Sequence, residues 1–278
     1  MSLKSISKHR SRKQKLLTQL AEQLEMKLPA TMASKVVAFA EQYYQVSADE
    51  ALAEYPLESL YDATLSCWEF IQQYDASAPK VRVISPDLEQ HGWRCNHTVI
   101  QILFTDMPFL VDSVKMELNR HDVSIHAIHN AVLTVTRDGD KLQGFRQLGD
   151  EQQGQAESFI YIEIDRHTDP EWLKSLSNRL TEVHRLVASA VSDFQPMKGR
   201  LVELIDELGQ ANSSLDKATA QESSAFLEWL LDDHFTFLAY DELTFDRNGE
   251  QFRAAQVEES VLGTLRLEAS AGSAKLYE

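Results

Sequence analysis

His97-Thr-Val-Ile-Gln-Ile-Leu-Phe104, followed directly by Thr105-Asp-Met-Pro-Phe-Leu-Val-Asp-Ser-Val114, changes from one kind of structure to another within a single turn. The first run is short and rich in β-branched residues, which predicts a strand covered on both faces. Thr105–Pro108 breaks it. Apolar residues then take helical spacing at Leu110, Val111, Val114 and Leu118, so the strand is delivered straight into a helix.

Downstream, Ser124 to Thr136 returns to strand composition, bent or bulged near Asn130, and Asp138-Gly139 signals a turn. Phe159-Ile-Tyr-Ile-Glu-Ile164 alternates with period two. That predicts Ile160, Ile162 and Ile164 on a core face, with Phe159, Tyr161 and Glu163 on an amphipathic one. Thr168-Asp-Pro-Glu171 supplies a helix start, either as a Thr168/Glu171 capping box or with Asp169 as cap and Pro170 first in the helix. The helix carries Leu173, Leu176, Leu180, Val183, Val187 and Ala190 as one stripe, and Pro196 is expected to end it. Upstream, Val81-Arg-Val-Ile84 is a short strand candidate. Two helices on one face of a mainly antiparallel sheet is the economical arrangement, a ferredoxin-like α+β fold of βαββαβ order.

The flanks are helical. Leu16, Leu17, Leu20, Leu24 and Leu28 form a stripe that Pro29 interrupts; Val36, Val37, Ala40, Tyr43 and Tyr44 form a second, and Leu57 to Ile71 a third. Ser47 and Glu50 are spaced as a capping box. After the sheet region come a helical piece at Arg200–Leu208, a linker at Gln210–Ser214 and an amphipathic helix with Phe226, Leu227, Leu230 and Leu231. This helix runs into Phe235–Tyr240, and a hairpin turn is expected at Arg247–Glu250. The expected domains are therefore a helical domain with a basic leader at 1–79, an α+β domain at 80–196, a helical connector at 197–234, and the beginning of a second α/β unit at 235–278.

Composition narrows the function classes. Twenty-seven Lys and Arg face 43 Asp and Glu, for a net charge of −16 over 278 residues. Residues 1–15 hold six bases and no acid, leaving 21 bases against 43 acids, a net −22, in the rest. Such a body repels phosphate backbones, so no nucleic-acid partner is expected, and residues 4–15 read as a solvated leader. No apolar run is long enough for a bilayer span, and the start lacks the pattern of a secretory signal. No membrane partner and a cytoplasmic location are expected. Cys67 and Cys95 are too few for a disulfide framework or a thiolate metal site.

Signatures of phosphate cradles, zinc proteases and serine hydrolases are absent. His121, His126 and His129 lie close together, but an odd separation puts His126 and His129 on opposite strand faces, which argues against a metal site. Glu163 and Asp165 share a face and read as a solvated rim. No catalytic, cofactor-binding or metal residues are expected. The informative site is the turn ahead of Leu110. There the amides of Phe109, Leu110 and Val111 lack intrahelical acceptors and carry the positive end of the helix dipole, which can hold a small carboxylate. Asp106 is the residue expected to fill that place as a cap. Asp106, Pro108, Phe109, Leu110 and Asp112 are thus the candidate effector or helix-start residues.

The same segment, with Met116–Arg120 and Ile125, resembles the Asp-x-Pro-x-Leu helix opening of ACT domains, which are ferredoxin-like amino-acid-sensing modules. More narrowly, Glu89-Gln-His-Gly-Trp93, Asp106–Val114 and Phe226-Leu-Glu-Trp-Leu-Leu-Asp-Asp-His-Phe-Thr-Phe-Leu238 are similar to the amino-terminal part of the large bacterial NAD-specific glutamate dehydrogenases. The resemblance covers nearly the whole chain. It implies ACT-like units at 80–196 and from 235, and a role as the regulatory or oligomerisation region of an enzyme that oxidatively deaminates L-glutamate to 2-oxoglutarate and ammonia with NAD. It implies NAD as cofactor of that parent enzyme, bound outside this region. The implied partners are a catalytic domain on the same polypeptide, further copies of the chain, and an amino-acid effector. ACT domains that sense amino acids usually carry Gly where Phe109 stands, and a Phe there is expected to plug the pocket. The rival reading is a free-standing ACT-like sensing or dimerisation module that pairs through its Phe159/Tyr161 sheet face.

Overall fold

The computed structural model describes residues 3–45, 55–145, 154–210, 216–248 and 251–270. The Ser47/Glu50 pair, most of the 210–214 linker and the tip of the 247–250 hairpin lie outside these residues. Packing divides the chain into two compact units, Met1–His184 and Arg185–Glu278.

In the first unit, α1 (Leu3–Lys27), α2 (Ala30–Gln45) and α3 (Leu57–Ile71) precede the sheet. The basic leader is the first part of α1 and not a separate arm. The sheet contains β1 (Lys80–Ile84), β2 (Thr98–Thr105), β3 (Ile125–Asp138), β4 (Lys141–Phe145) and β5 (Gln155–Ile164) in the order β1-β2-β5-β3-β4. Every pairing is antiparallel. Two more helices, α4 (Leu110–Arg120) and α5 (Pro170–Ser192), follow β2 and β5.

The α+β class expected for this region is the one observed, with one difference in strand order. The edge beside β2, which the final strand of a βαββαβ unit would take, is held by β1 from ahead of the unit. The chain reaches that edge through an Asx turn in which the Ser77 N–H donates to Asp75 Oδ1 at 2.9 Å. Lys80 then donates to the Phe70 and Gln73 carbonyls at the end of α3, each at 2.6 Å, a cation placed where the helix leaves acceptors unpaired. With the edge filled, the chain after α5 continues as helix.

Register explains the burial. Ile160 and Ile162 of β5 lie opposite Ile102 and Ile100 of β2, while Phe159, Tyr161 and Glu163 lie opposite Leu103, Gln101 and Val99. The isoleucine face takes α5, where the His184 ring meets Phe104 edge-on at 6.1 Å. Arg179 of α5 pairs with Glu117 of α4 at 3.2 Å, which sets those two helices side by side. Their stripes, Leu110/Val114/Leu118 and Leu176/Leu180, are buried.

The opposite face is not amphipathic as expected. It is covered by α2 and α3: Phe159 packs against Phe39, Tyr43 and Phe70 with ring centroids 5.2 to 6.3 Å apart. Each large apolar side chain so buried contributes about 1.5–3 kcal/mol. The helices and the sheet therefore form one three-layer unit, and the Phe159/Tyr161 face has no room for pairing between copies.

Two local expectations also change. The irregularity of β3 falls between Ile125 and Ala127, and Asn130 pairs in register with Ile160. Pro196 does not end α5; it sits in the first turn of α6 (Phe194–Gly209), where a missing N–H costs nothing. At the start of α5, Asp169 is the cap, accepting the Glu171 N–H at 3.0 Å.

The second unit contains the rest of α5, α6, α7 (Lys217–Trp229), a π-type turn at Leu230–His234, β6 (Ala239–Tyr240), β7 (Leu243–Asn248), β8 (Gln251–Gln256), β9 (Leu262–Gly263) and α8 (Leu265–Ser270). Strands pair as β6-β9 and β7-β8. Within Phe235–Tyr240, Ala239 and Tyr240 pair as a strand. Met197, Leu201, Phe237 and Leu262 form the core, so α6 packs with the terminal strands. Gly263 has φ +66 and passes so near the Leu238 carbonyl that no Cβ fits.

Candidate effector site

The turn between β2 and α4 opens with a last ladder bond, the Asp106 N–H donating to the Ala156 carbonyl at 2.9 Å. Pro108 follows, exposed. Phe109 then takes a left-handed conformation, φ 72 and ψ 0, and itself occupies the cap position. No side chain caps the helix. Asp106 is therefore not the cap expected from the sequence; the left-handed residue, three positions further on, sets the helix start. The Asp106 carboxyl stays on the exposed turn, and desolvation there raises it above the ordinary aspartate value.

Leu110 is buried and anchors α4 from within. Asp112 is exposed in the first turn, where a negative charge is favoured by the helix dipole. The structure thus brings Asp106, Pro108, Phe109 and Asp112 to one exposed turn and sends Leu110 to the core. The Phe109 ring is 57% exposed, so it stands in solvent and does not plug a pocket. Holding a non-glycine residue in this region costs about 1–2 kcal/mol.

The histidines do not converge. His126 is the residue at the β3 irregularity and pairs with Asp165 at 2.6 Å; His121 pairs with Glu117 at 3.0 Å. His129 is buried, and desolvation lowers it below the usual histidine value. Among the described residues no group of three or more His, Cys, Asp or Glu side chains could hold a metal ion.

Sequence reasoning missed the polar groups between the sheet and α3. Arg137 of β3 and Glu157 of β5 form two parallel bonds, 2.6 and 2.8 Å, with their side chains only 5% and 2% exposed. The same guanidinium donates to the Ile71 carbonyl at 3.0 Å. Arg82 donates to Gln101 at 2.7 Å and to the Ser66 carbonyl at 2.8 Å. Glu163 is buried and accepts the Tyr161 hydroxyl at 3.0 Å, so it is no solvated rim residue. Burial pushes the neighbouring Cys67 thiol up to about 12, which leaves it inert. A signal was available: Glu157 and Glu163 share the period-two face with Phe159 and Tyr161.

An antiparallel sheet with α4 and α5 packed side by side, entered by a strand-turn-helix at Asp106–Leu110, is an α+β module consistent with an ACT-like domain. The model of the family described as "Glutamate dehydrogenase, ACT1 domain" matches residues 39–180, and the chain belongs to that family. It is similar to a protein named NAD-specific glutamate dehydrogenase from Halomonas elongata, 46% identical over 256 residues, 91% of this chain and 16% of the relative. A relative of the same name from Pseudomonas aeruginosa is 39% identical over 235 residues, 84% of this chain and 14% of its own length. The chain therefore spans 14–16% of the length of these relatives.

Proposed function

We propose that this chain is the amino-terminal regulatory and assembly region of an NAD-specific glutamate dehydrogenase. The parent reaction is the oxidative deamination of L-glutamate to 2-oxoglutarate and ammonia. The observation that carries the reading is the extent of similarity: nearly all of this chain matches relatives of that name, yet it accounts for only 14–16% of their length. NAD and the reacting groups belong to the remaining part, in keeping with a sequence that holds no dinucleotide fingerprint. The partners are that catalytic part, other copies of the same polypeptide and an amino-acid effector, in the cytoplasm. Among the described residues no helix is long and apolar enough to cross a membrane.

In this reading residues 80–196 form one ACT-like unit and residues from 235 open a second. Regulation requires contacts that differ between two states of the enzyme, because an effector shifts an equilibrium only by its difference in affinity for them. The test is glutamate-dependent NAD reduction by the polypeptide that continues beyond Glu278, with and without residues 1–278. The longer polypeptide turns over, residues 1–278 alone do not, and deletion changes the assembly state or the effector response. A stop codon directly after Glu278 in an intact gene, or turnover by residues 1–278 unaided, overturns the proposal.

A further inference from the structure

The layer between α2, α3 and the sheet holds a polar pocket that the ring packing around Phe159 does not account for. Tyr43 of α2 is 2% exposed, yet its hydroxyl has no hydrogen-bond partner among the described residues. Buried hydroxyls are ordinarily paired. Tyr43, Tyr44, Tyr55 and Tyr161 line one cavity of about 10 Å³, with Leu60 and Ala63 of α3 supplying its apolar wall. Burial raises all four hydroxyls above the ordinary tyrosine value, and the Glu163 charge adds to the rise in each, so the four share one neighbourhood.

The protons of three of these hydroxyls are already placed. Thr64 gives its single hydrogen to the Leu60 carbonyl at 2.6 Å, so in the 2.9 Å contact between Tyr44 and Thr64 the tyrosine is the donor. Tyr161 donates to Glu163 Oε1 at 3.0 Å, and Tyr55 donates to the same carboxylate. The Tyr44, Tyr55 and Tyr161 oxygens therefore have only lone pairs left to offer. Tyr43 alone brings an O–H with nothing to receive it.

An occupant has to serve both kinds of group in very little room. Organic ligands take sites of roughly 300–1,000 Å³, far more than this one. A bare cation gives the Tyr43 proton no acceptor, and an anion would face three sets of lone pairs beside the Glu163 carboxylate. Water both accepts and donates, and on the order of 10–15 Å³ holds one molecule.

We propose that this cavity is a binding site for a single structural water, which accepts the Tyr43 O–H and donates to two of the Tyr44, Tyr55 and Tyr161 oxygens. Through it α2 is joined to β5 by polar bonds, in a layer otherwise held by stacked and tilted rings. The site is separate from the helix-start turn and stands on packing within this chain, whether or not the enzyme assignment holds.

Crystal structures of the 278-residue chain and of Tyr43→Phe, at a resolution that shows ordered waters, test the proposal together with urea unfolding of both. The parent holds one water at about 2.6–3.0 Å from Tyr43 Oη and within hydrogen-bond distance of at least one of the other three oxygens. Tyr43→Phe loses that water and unfolds about 0.5 M earlier in urea, as expected when a hydrogen bond that was made is removed. A parent structure with no water at Tyr43 Oη, or with one that touches none of the other three oxygens, overturns the proposal. So does a Tyr43→Phe urea midpoint equal to or above that of the parent, since a buried hydroxyl bonded to nothing is deleted without loss.

Discussion

Replacing Arg137 by Met, which keeps the aliphatic stem and deletes the guanidinium, should be among the most damaging single changes in the first unit. Glu157 would be left as a carboxylate with 2% of its side chain exposed and both of its bonds to arginine gone. Breaking one partner of a buried pair costs about 3–5 kcal/mol, because the survivor can neither reach water nor find a new counter-charge. The Ile71 and Asp140 carbonyls also lose donors at 3.0 and 3.1 Å, but that loss belongs to the same figure and is not added to it. The double variant Arg137→Met/Glu157→Leu removes both charges and should recover most of the loss, as buried ion pairs replaced by apolar groups often do. Urea unfolding of the chain, read by hydrogen exchange in peptides from β3 and β5, isolates the unit concerned. With m of about 2 kcal/mol/M, the single variant unfolds about 1.5–2.5 M earlier than the parent. A single variant within about 1 kcal/mol of the parent would refute the argument. A double variant as unstable as the two singles combined would refute it too, since the pair would then not be coupled.

His184 should make the first unit sensitive to acid. Its Nδ1 donates to the Leu180 carbonyl at 2.7 Å, and its Nε2 is buried without a partner, so the ring is neutral and desolvation lowers its pKa. The unfolded chain takes up the proton first as pH falls below about 6.5, so stability is full above that value and is lost as pH drops toward the folded pKa, by up to about 1.4 kcal/mol per pH unit. Urea midpoints measured across this range should flatten in His184→Leu, with a residual slope from His129; an unchanged slope would remove His184 as the cause. At the other site, Phe109→Gly relieves about 1–2 kcal/mol of left-handed strain and adds about 0.5–1 kcal/mol of unfolded-state entropy. Thermal melts should show Phe109→Gly equal to or more stable than Phe109→Ala, which keeps the strain, and the reverse order would show that Phe109 is held by contacts instead.

What was legible in the sequence was whatever depends on local periodicity. The Leu20 and Leu24 stripe, the β5 alternation and the Asp169-Pro170 helix start each encode their own geometry within a few residues. The edge position of β1 was not legible, because it depends on which of two distant segments reaches β2 first in space. The partners of Glu157 and Glu163 were hidden for the same reason: Arg137 is twenty positions from Glu157 and meets it only through the β3-β5 pairing. That a strand turns into a helix between Thr105 and Leu110 was legible, but the left-handed backbone of Phe109 is imposed by the chain on either side and carries no compositional sign.

The covered faces of the sheet constrain how this unit can take part in assembly. Its Phe159/Tyr161 face is occupied by α2 and α3, and its isoleucine face by α5, so stacking of sheets between copies would require displacing whole helices. The β4 edge is also closed, since the Leu142 N–H donates to the Gln72 carbonyl and the Tyr74 N–H to the Asp140 carbonyl, both at 2.9 Å. That leaves the β1 edge, where Lys80 and Arg82 are already committed to α3 and charged side chains discourage strand addition. Among the described residues of this unit, the surfaces left open to a partner are helical, where Met26, Met32 and Met116 stand exposed.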